Sequence, residues 1–154
     1  MKRIRKISLI IHILVGVGAL FGGLLAMLYP ESPMGIDSDS LPNMPFASFF
    51  IPGLILFVVM GLGNLTGAVL QWKRSALAAY ATGIVGGALV IWIMVQCYML
   101  STIVALHMIF FLIGAVQCLL ALLQLYDQNM FPLRFLRKAS TARQNLDEHE
   151  ALPK

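Results

Sequence analysis

Three long stretches of this chain contain no Asp, Glu, Lys or Arg: Ile7 to Pro30, Leu41 to Trp72 and Ser75 to Tyr126. Nothing else in the sequence limits the fold so strongly. A helix of a soluble bundle must turn a polar face to water, and none of these stretches supplies one. A hydrocarbon core is crossed by about 20 predominantly apolar residues, so each stretch holds one span or two. The composition agrees, with 59% apolar residues, 12% charged and a mean hydropathy of +0.84.

The chain therefore reads as all-α, an integral membrane bundle of four antiparallel transmembrane helices. The spans are placed at about 7–29, 47–70, 76–98 and 103–126. Helices are required because backbone polar groups in lipid must be satisfied within the segment. A barrel would show short alternating strands, and these segments are solidly apolar. Leu100, Ser101 and Thr102 supply the break between the last two spans. Pro52 falls near the start of the second, where a proline costs least, so that helix is expected to begin near Ile51. The first span has a basic start, but its apolar run exceeds that of a signal peptide and no cleavage pattern precedes Pro30, so it reads as a retained anchor.

Lys and Arg collect on the cytoplasmic side of membrane proteins. Lys2, Arg3, Arg5 and Lys6 precede span one, and Lys73 and Arg74 separate spans two and three. Arg134, Arg137, Lys138, Arg143 and Lys154 follow span four. A four-span arrangement puts all eleven on one side, so both termini are expected in the cytoplasm of a multi-pass cell-membrane protein. The net charge of +4 then reports topology, with attraction to anionic headgroups, and does not point to nucleic acid. Residues 1–129 form the membrane domain. Residues 130–154 form a tail that begins with apolar and basic residues suited to the headgroup region and continues as a polar segment.

Ionisable groups inside a membrane usually mark function, and the spans contain no carboxylate, lysine or arginine. That argues against proton-coupled transport through a membrane carboxylate and against hydrolysis. The polar residues within the spans include Ser8, His12, Asn64, Thr66, Gln96, His107, Gln117 and Gln124. At about 1.5 Å rise per residue, His12 and Asn64 fall at one depth in the cytoplasmic half, with Gln117 nearer the middle. These three form the candidate polar cluster. Gln96 and His107 form a candidate outer pair.

Ser8, His12, Gly16, Ala19, Gly22, Gly23 and Ala26 share one face of span one. Gly53, Gly61, Asn64, Gly67 and Ala68 share one face of span two. Small residues let helices approach closely, so these faces are expected to meet, with His12 and Asn64 at the contact. Gly18/Gly22, Gly63/Gly67 and Gly83/Gly87 have the spacing of helix-packing pairs. Cys97 and Cys118 lie too far apart in depth to bridge. Trp92 reads as an anchor in the outer interface. Asp37 and Asp39 in the outer loop are too few for a calcium site. No catalytic, cofactor or metal set emerges.

Pro45-Phe46, the run Phe50-Ile51-Pro52-Gly53-Leu54-Ile55-Leu56, Gly61-Leu62-Gly63, the basic turn Lys73-Arg74, and Trp92-Ile93 with Gln96 resemble a widespread group of small bacterial four-helix membrane proteins. The resemblance implies a bacterial cell membrane and carries over no activity or functional residue. Small multidrug transporters use a Glu in their first helix, and vitamin K reductase-like enzymes a CxxC pair; this chain has neither. The leading expectation is a structural or accessory component working through helix–helix association, as a homo-oligomer or with a membrane protein partner. The alternative is a small transporter or binder of a neutral or apolar solute. An enzyme is the weakest of the three readings.

Overall fold

Four helices carry the charge-free stretches. The computed structural model describes residues 2–33, 46, 48–101 and 105–128. Helix α1 spans Lys2–Leu28, α2 Phe50–Trp72, α3 Ala78–Leu100 and α4 Ala105–Asp127. Each is long and apolar enough to cross a membrane, since 23 residues at about 1.5 Å each exceed a hydrocarbon core of about 30 Å. No strand occurs among the described residues. The outer-loop carboxylates Asp37 and Asp39, and the tail from 130 onward, lie outside them.

Span boundaries shift from the sequence reading for local reasons. Helix α1 starts in the basic segment, because Lys and Arg are good helix formers and nothing breaks the run. Helix α2 starts at Phe50, so Pro52 sits in the first turn, and the Gly53 amide closes that turn on the Phe49 carbonyl at 2.8 Å. Its other end runs on to Trp72. There the Ser75 amide donates to the Leu70 carbonyl at 3.0 Å and the Arg74 amide to Gln71 at 3.2 Å. This is a Schellman cap, and Arg74 occupies its left-handed position, at φ 55. Glycine is the usual occupant there, and a side chain costs roughly 1–2 kcal/mol. Ser101 ends α3 in the same conformation, at φ 48.

Within α2, Leu56–Leu62 is a π-helix between the α segments Phe50–Ile55 and Gly63–Trp72. A π turn holds more residues than an α turn, so α2 uses more residues than α1 between the contacts they share. Those contacts are Gly23 with Gly53, Gly16 with Gly61, His12 with Gly67, and Ser8 with Gln71. A Cβ at Gly23 would lie 2.7 Å from the Gly53 carbonyl oxygen, so only glycine permits that approach. Helices α3 and α4 pack likewise through Gly86 and Gly114, each 3.0–3.1 Å from the other's carbonyl oxygen once a Cβ is added.

The small-residue face of α1 thus meets that of α2, as the sequence implies. The named glycine pairs divide. Gly67 accommodates the His12 ring, Gly63 faces Val85, Gly83 faces Ala121, and Gly22 is in ordinary contact with Leu56. A Cβ added at Gly18 or Gly87 would meet nothing within 4 Å among the described residues. On α1, Gly16 and Gly23 make the close approaches instead.

Val15, Ala19, Met60, Leu89, Trp92 and Ile93 form the apolar core. Trp92 corrects the sequence reading. It is a buried core residue and not an interfacial anchor, because α3 turns it inward with Leu89 and Ile93. The exposed tryptophan is Trp72, 74% accessible at the basic turn. The outward-facing surface of all four helices is apolar, including Ile10, Phe21, Ile84, Ile91, Leu112 and Tyr126.

Candidate functional site

Polar side chains from all four helices converge in the half of the bundle next to the basic turn. Ser8 and His12 come from α1, one turn apart. Asn64 and Gln71 come from α2, and Gln117 and Gln124 from α4, each pair two turns apart. Thr82 comes from α3. Every one is buried, and all but Gln71 have no accessible surface. Gly67 makes the space: a Cβ there would stand 2.6 Å from His12 Cε1.

His12 is the hub. Its Nδ1 lies 2.8 Å from Asn64 Oδ1 and its Nε2 2.9 Å from Thr82 Oγ1. Asn64 donates its amide to the Met60 carbonyl at 2.8 Å, which fixes Oδ1 as the atom facing the ring. A carbonyl oxygen only accepts, so the proton of the neutral imidazole sits on Nδ1 and Nε2 is left as an acceptor. Gln117 Nε2 donates to the same Asn64 oxygen at 2.8 Å. Its 3.3 Å approach to Nδ1 is then proximity to a ring nitrogen already engaged as a donor.

A second hub lies one turn closer to the basic end. Gln71 Nε2 is 2.9 Å from Gln124 Oε1, 3.0 Å from Thr82 Oγ1 and 3.1 Å from Ser8 Oγ. Two amide hydrogens thus face three acceptors. Thr82 joins the two hubs. Its hydroxyl reaches the Ala78 carbonyl at 2.8 Å as well as His12 Nε2. It has one proton for those two acceptors.

The sequence-derived cluster of His12, Asn64 and Gln117 is therefore assembled, with Gln117 in direct contact rather than at a different depth. Ser8 and Gln124, noted only as polar, belong to it too. Gln71 and Thr82 were missed. Gln71 falls seven residues after Asn64, as Gln124 does after Gln117, and that spacing places both on the cluster's face. Thr82 gives little signal, because a threonine can return its hydroxyl to its own helix.

The outer pair, Gln96 and His107, lies toward the other end of α3 and α4. His107 is buried and lines a cleft of about 430 Å³ with Ile93, Met94, Cys97, Met108, Phe111 and Leu112. Gln96, half-buried, is not among the residues lining it. Cys97 and Cys118 are both free thiols. Asn64, which begins a glycosylation-like triplet, is at the centre of the bundle. Thr66, its third member, returns its hydroxyl to the Leu62 carbonyl of the same helix at 2.9 Å.

Chemically the network can hold and orient hydrogen bonds. It contains one imidazole, amides and hydroxyls, with no carboxylate or amine. Among the described residues no group of His, Cys, Asp or Glu could hold a metal ion. Gln71 Oε1, Gln117 Oε1 and Gln124 Nε2 are buried without a partner. No family model, curated protein or solved structure matches the chain.

Proposed function

We propose that this chain is a structural or accessory membrane component that acts through helix–helix association. The observation carrying this reading is the network itself. Side chains from all four helices hydrogen-bond one another with essentially no surface exposed, an arrangement suited to fixing helices in one register. Interhelical hydrogen bonds of this kind are worth about 0.6 kcal/mol each on average, so the network specifies an arrangement more than it supplies stability.

The surroundings support the reading. Contact positions fall along α1 as they rise along α2, and Gly83, Gly86 and Cys97 of α3 meet successively earlier positions of α4. This favours an antiparallel bundle. The basic residues at the start of α1 and in the α2–α3 turn favour both termini in the cytoplasm, by the preference of Lys and Arg for that side. The resemblance to small bacterial membrane proteins favours the cell membrane as that bilayer. Gly18 stays open between the exposed side chains of Leu14 and Phe21. An unfilled small-residue site on a lipid-facing helix suits a second helix, from another copy or another protein.

The test is the intact mass of the complex purified in mild detergent with native lipids. A stoichiometric second protein, or a homo-oligomer broken by Gly18→Leu, is expected. A monomer indifferent to that substitution would overturn the reading.

A second reading, a binder of a neutral solute, has one specific observation in its favour. Buried polar atoms are nearly always partnered, and Gln71 Oε1, Gln117 Oε1 and Gln124 Nε2 are not. A small hydrogen-bonding solute reaching these amides would satisfy them. A small molecule retained in the same mass spectrum, and lost in Gln117→Leu, is the expected sign.

A further inference from the structure

A cleft of about 470 Å³ opens at the basic end of the bundle, lined by Lys2, Arg5, Lys6 and Leu9 of α1 and by Gln71, Trp72 and Arg74 at the end of α2. The α1 residues stand at positions i, i+3, i+4 and i+7, so they share one face of the helix and present three cations to one space. Arg74 adds a fourth from the opposite wall. Among the described residues no carboxylate lines the cleft.

Two features set this apart from a merely basic rim. Arg74 holds its place at φ 55, in the cap position where glycine would be unstrained. The fold therefore keeps a cation at a conformational cost. Trp72, largely exposed, lies beside it, and tryptophan favours the headgroup level of a bilayer. Leu9 and the indole give the cleft an apolar flank, while the cations gather toward the helix ends.

We propose that this cleft is a binding site for one anionic phospholipid, whose phosphate is held by Lys2, Arg5, Lys6 and Arg74 while its glycerol and upper acyl carbons lie against Leu9 and Trp72. Clustered basic residues next to a membrane span attract anionic headgroups, and arginine pairs with phosphate oxygens through two parallel hydrogen bonds. The position at the membrane surface and the apolar flank commit the site to a lipid and not to a free phosphate ion. This inference rests on the membrane reading of the four helices and is independent of whether the bundle serves a partner.

The experiment places the full chain in nanodiscs of equal phosphatidylcholine and phosphatidylglycerol and measures, by native mass spectrometry after gentle release, which lipid stays bound. Wild type is expected to retain phosphatidylglycerol preferentially. Arg5→Gln and Arg74→Gly are each expected to lower that preference about tenfold, the lower end of what one hydrogen bond to a charged group is worth. Arg74→Gly separates binding from folding, because it relieves the cap and should melt no lower than wild type. Arg3→Gln removes the same charge from outside the cleft and should leave the preference nearly unchanged. Equal retention of the two lipids, undiminished retention by Arg74→Gly, or an equal loss in Arg3→Gln would overturn the site. So would inorganic phosphate matching the stabilisation given by phosphatidylglycerol in detergent.

Discussion

At the scale of single residues, His12 and Gly67 make one unit. The ring fits only because residue 67 has no side chain. Gly67→Ala is expected to drive the imidazole off its partners and to lower stability by about 1–3 kcal/mol, the usual cost of overpacking. Gly87→Ala, with open space around it, should cost nothing, and thermal unfolding of the two variants in detergent checks the contrast. His12→Ala and Asn64→Ala should each weaken the bundle. A double-mutant cycle should give a coupling near the average of about 0.6 kcal/mol for such bonds, and no more than about 1.7. Unchanged melting of both single variants would remove His12 and Asn64 from the lock.

At the scale of elements, α2 is the unusual helix. Its π segment Leu56–Leu62 lies between Gly53, which meets α1 at one level, and Asn64, which meets His12 at another. π turns inside α-helices commonly occur at functional positions. Here the wide turn re-phases the helix so that both faces point at α1. Deleting the exposed Val59 should let the segment wind as α while both contacts survive, so the variant should fold and melt close to wild type. Deleting Ile84 from α3, which has no such surplus, should rotate Gly86 away from Gly114 and abolish folding. A shift of equal size in the two deletions, read by circular dichroism melts, would show that the π turn does not hold the spare residue.

At the scale of the whole molecule, the bundle is apolar outside and polar at one level inside. With both ends expected in the cytoplasm, a fluorescent protein fused after Lys154 should mature, and alkaline phosphatase fused there should stay inactive. The reverse result would invert the topology. Much of this organisation was legible. Charge-free runs mark the spans, and the shared faces of His12 with Gly16 and of Asn64 with Gly67 foretell which helices meet. The π turn was not legible, since Gly61 and the two valines between Leu56 and Leu62 weaken an α-helix without demanding a wider turn. Trp92 was misread because depth along a helix can be estimated from sequence, while the side it faces depends on where the neighbouring helices stand. Gly18 and Gly87 show the same limit: spacing finds small residues without revealing which of them a neighbour reaches.

The Thr82 hydroxyl has a consequence at this largest scale. One proton lies within reach of two acceptors, the imidazole and the Ala78 carbonyl, so one set of heavy-atom positions supports two hydrogen-bond patterns. Were the imidazole to gain a second proton, Nε2 would donate to Thr82 and the hydroxyl would swing back to its own helix. The adjustment is a bond rotation of one hydrogen. The polar network can therefore exchange one hydrogen-bond pattern for another by moving a single hydrogen, with every heavy atom and helix axis left in place.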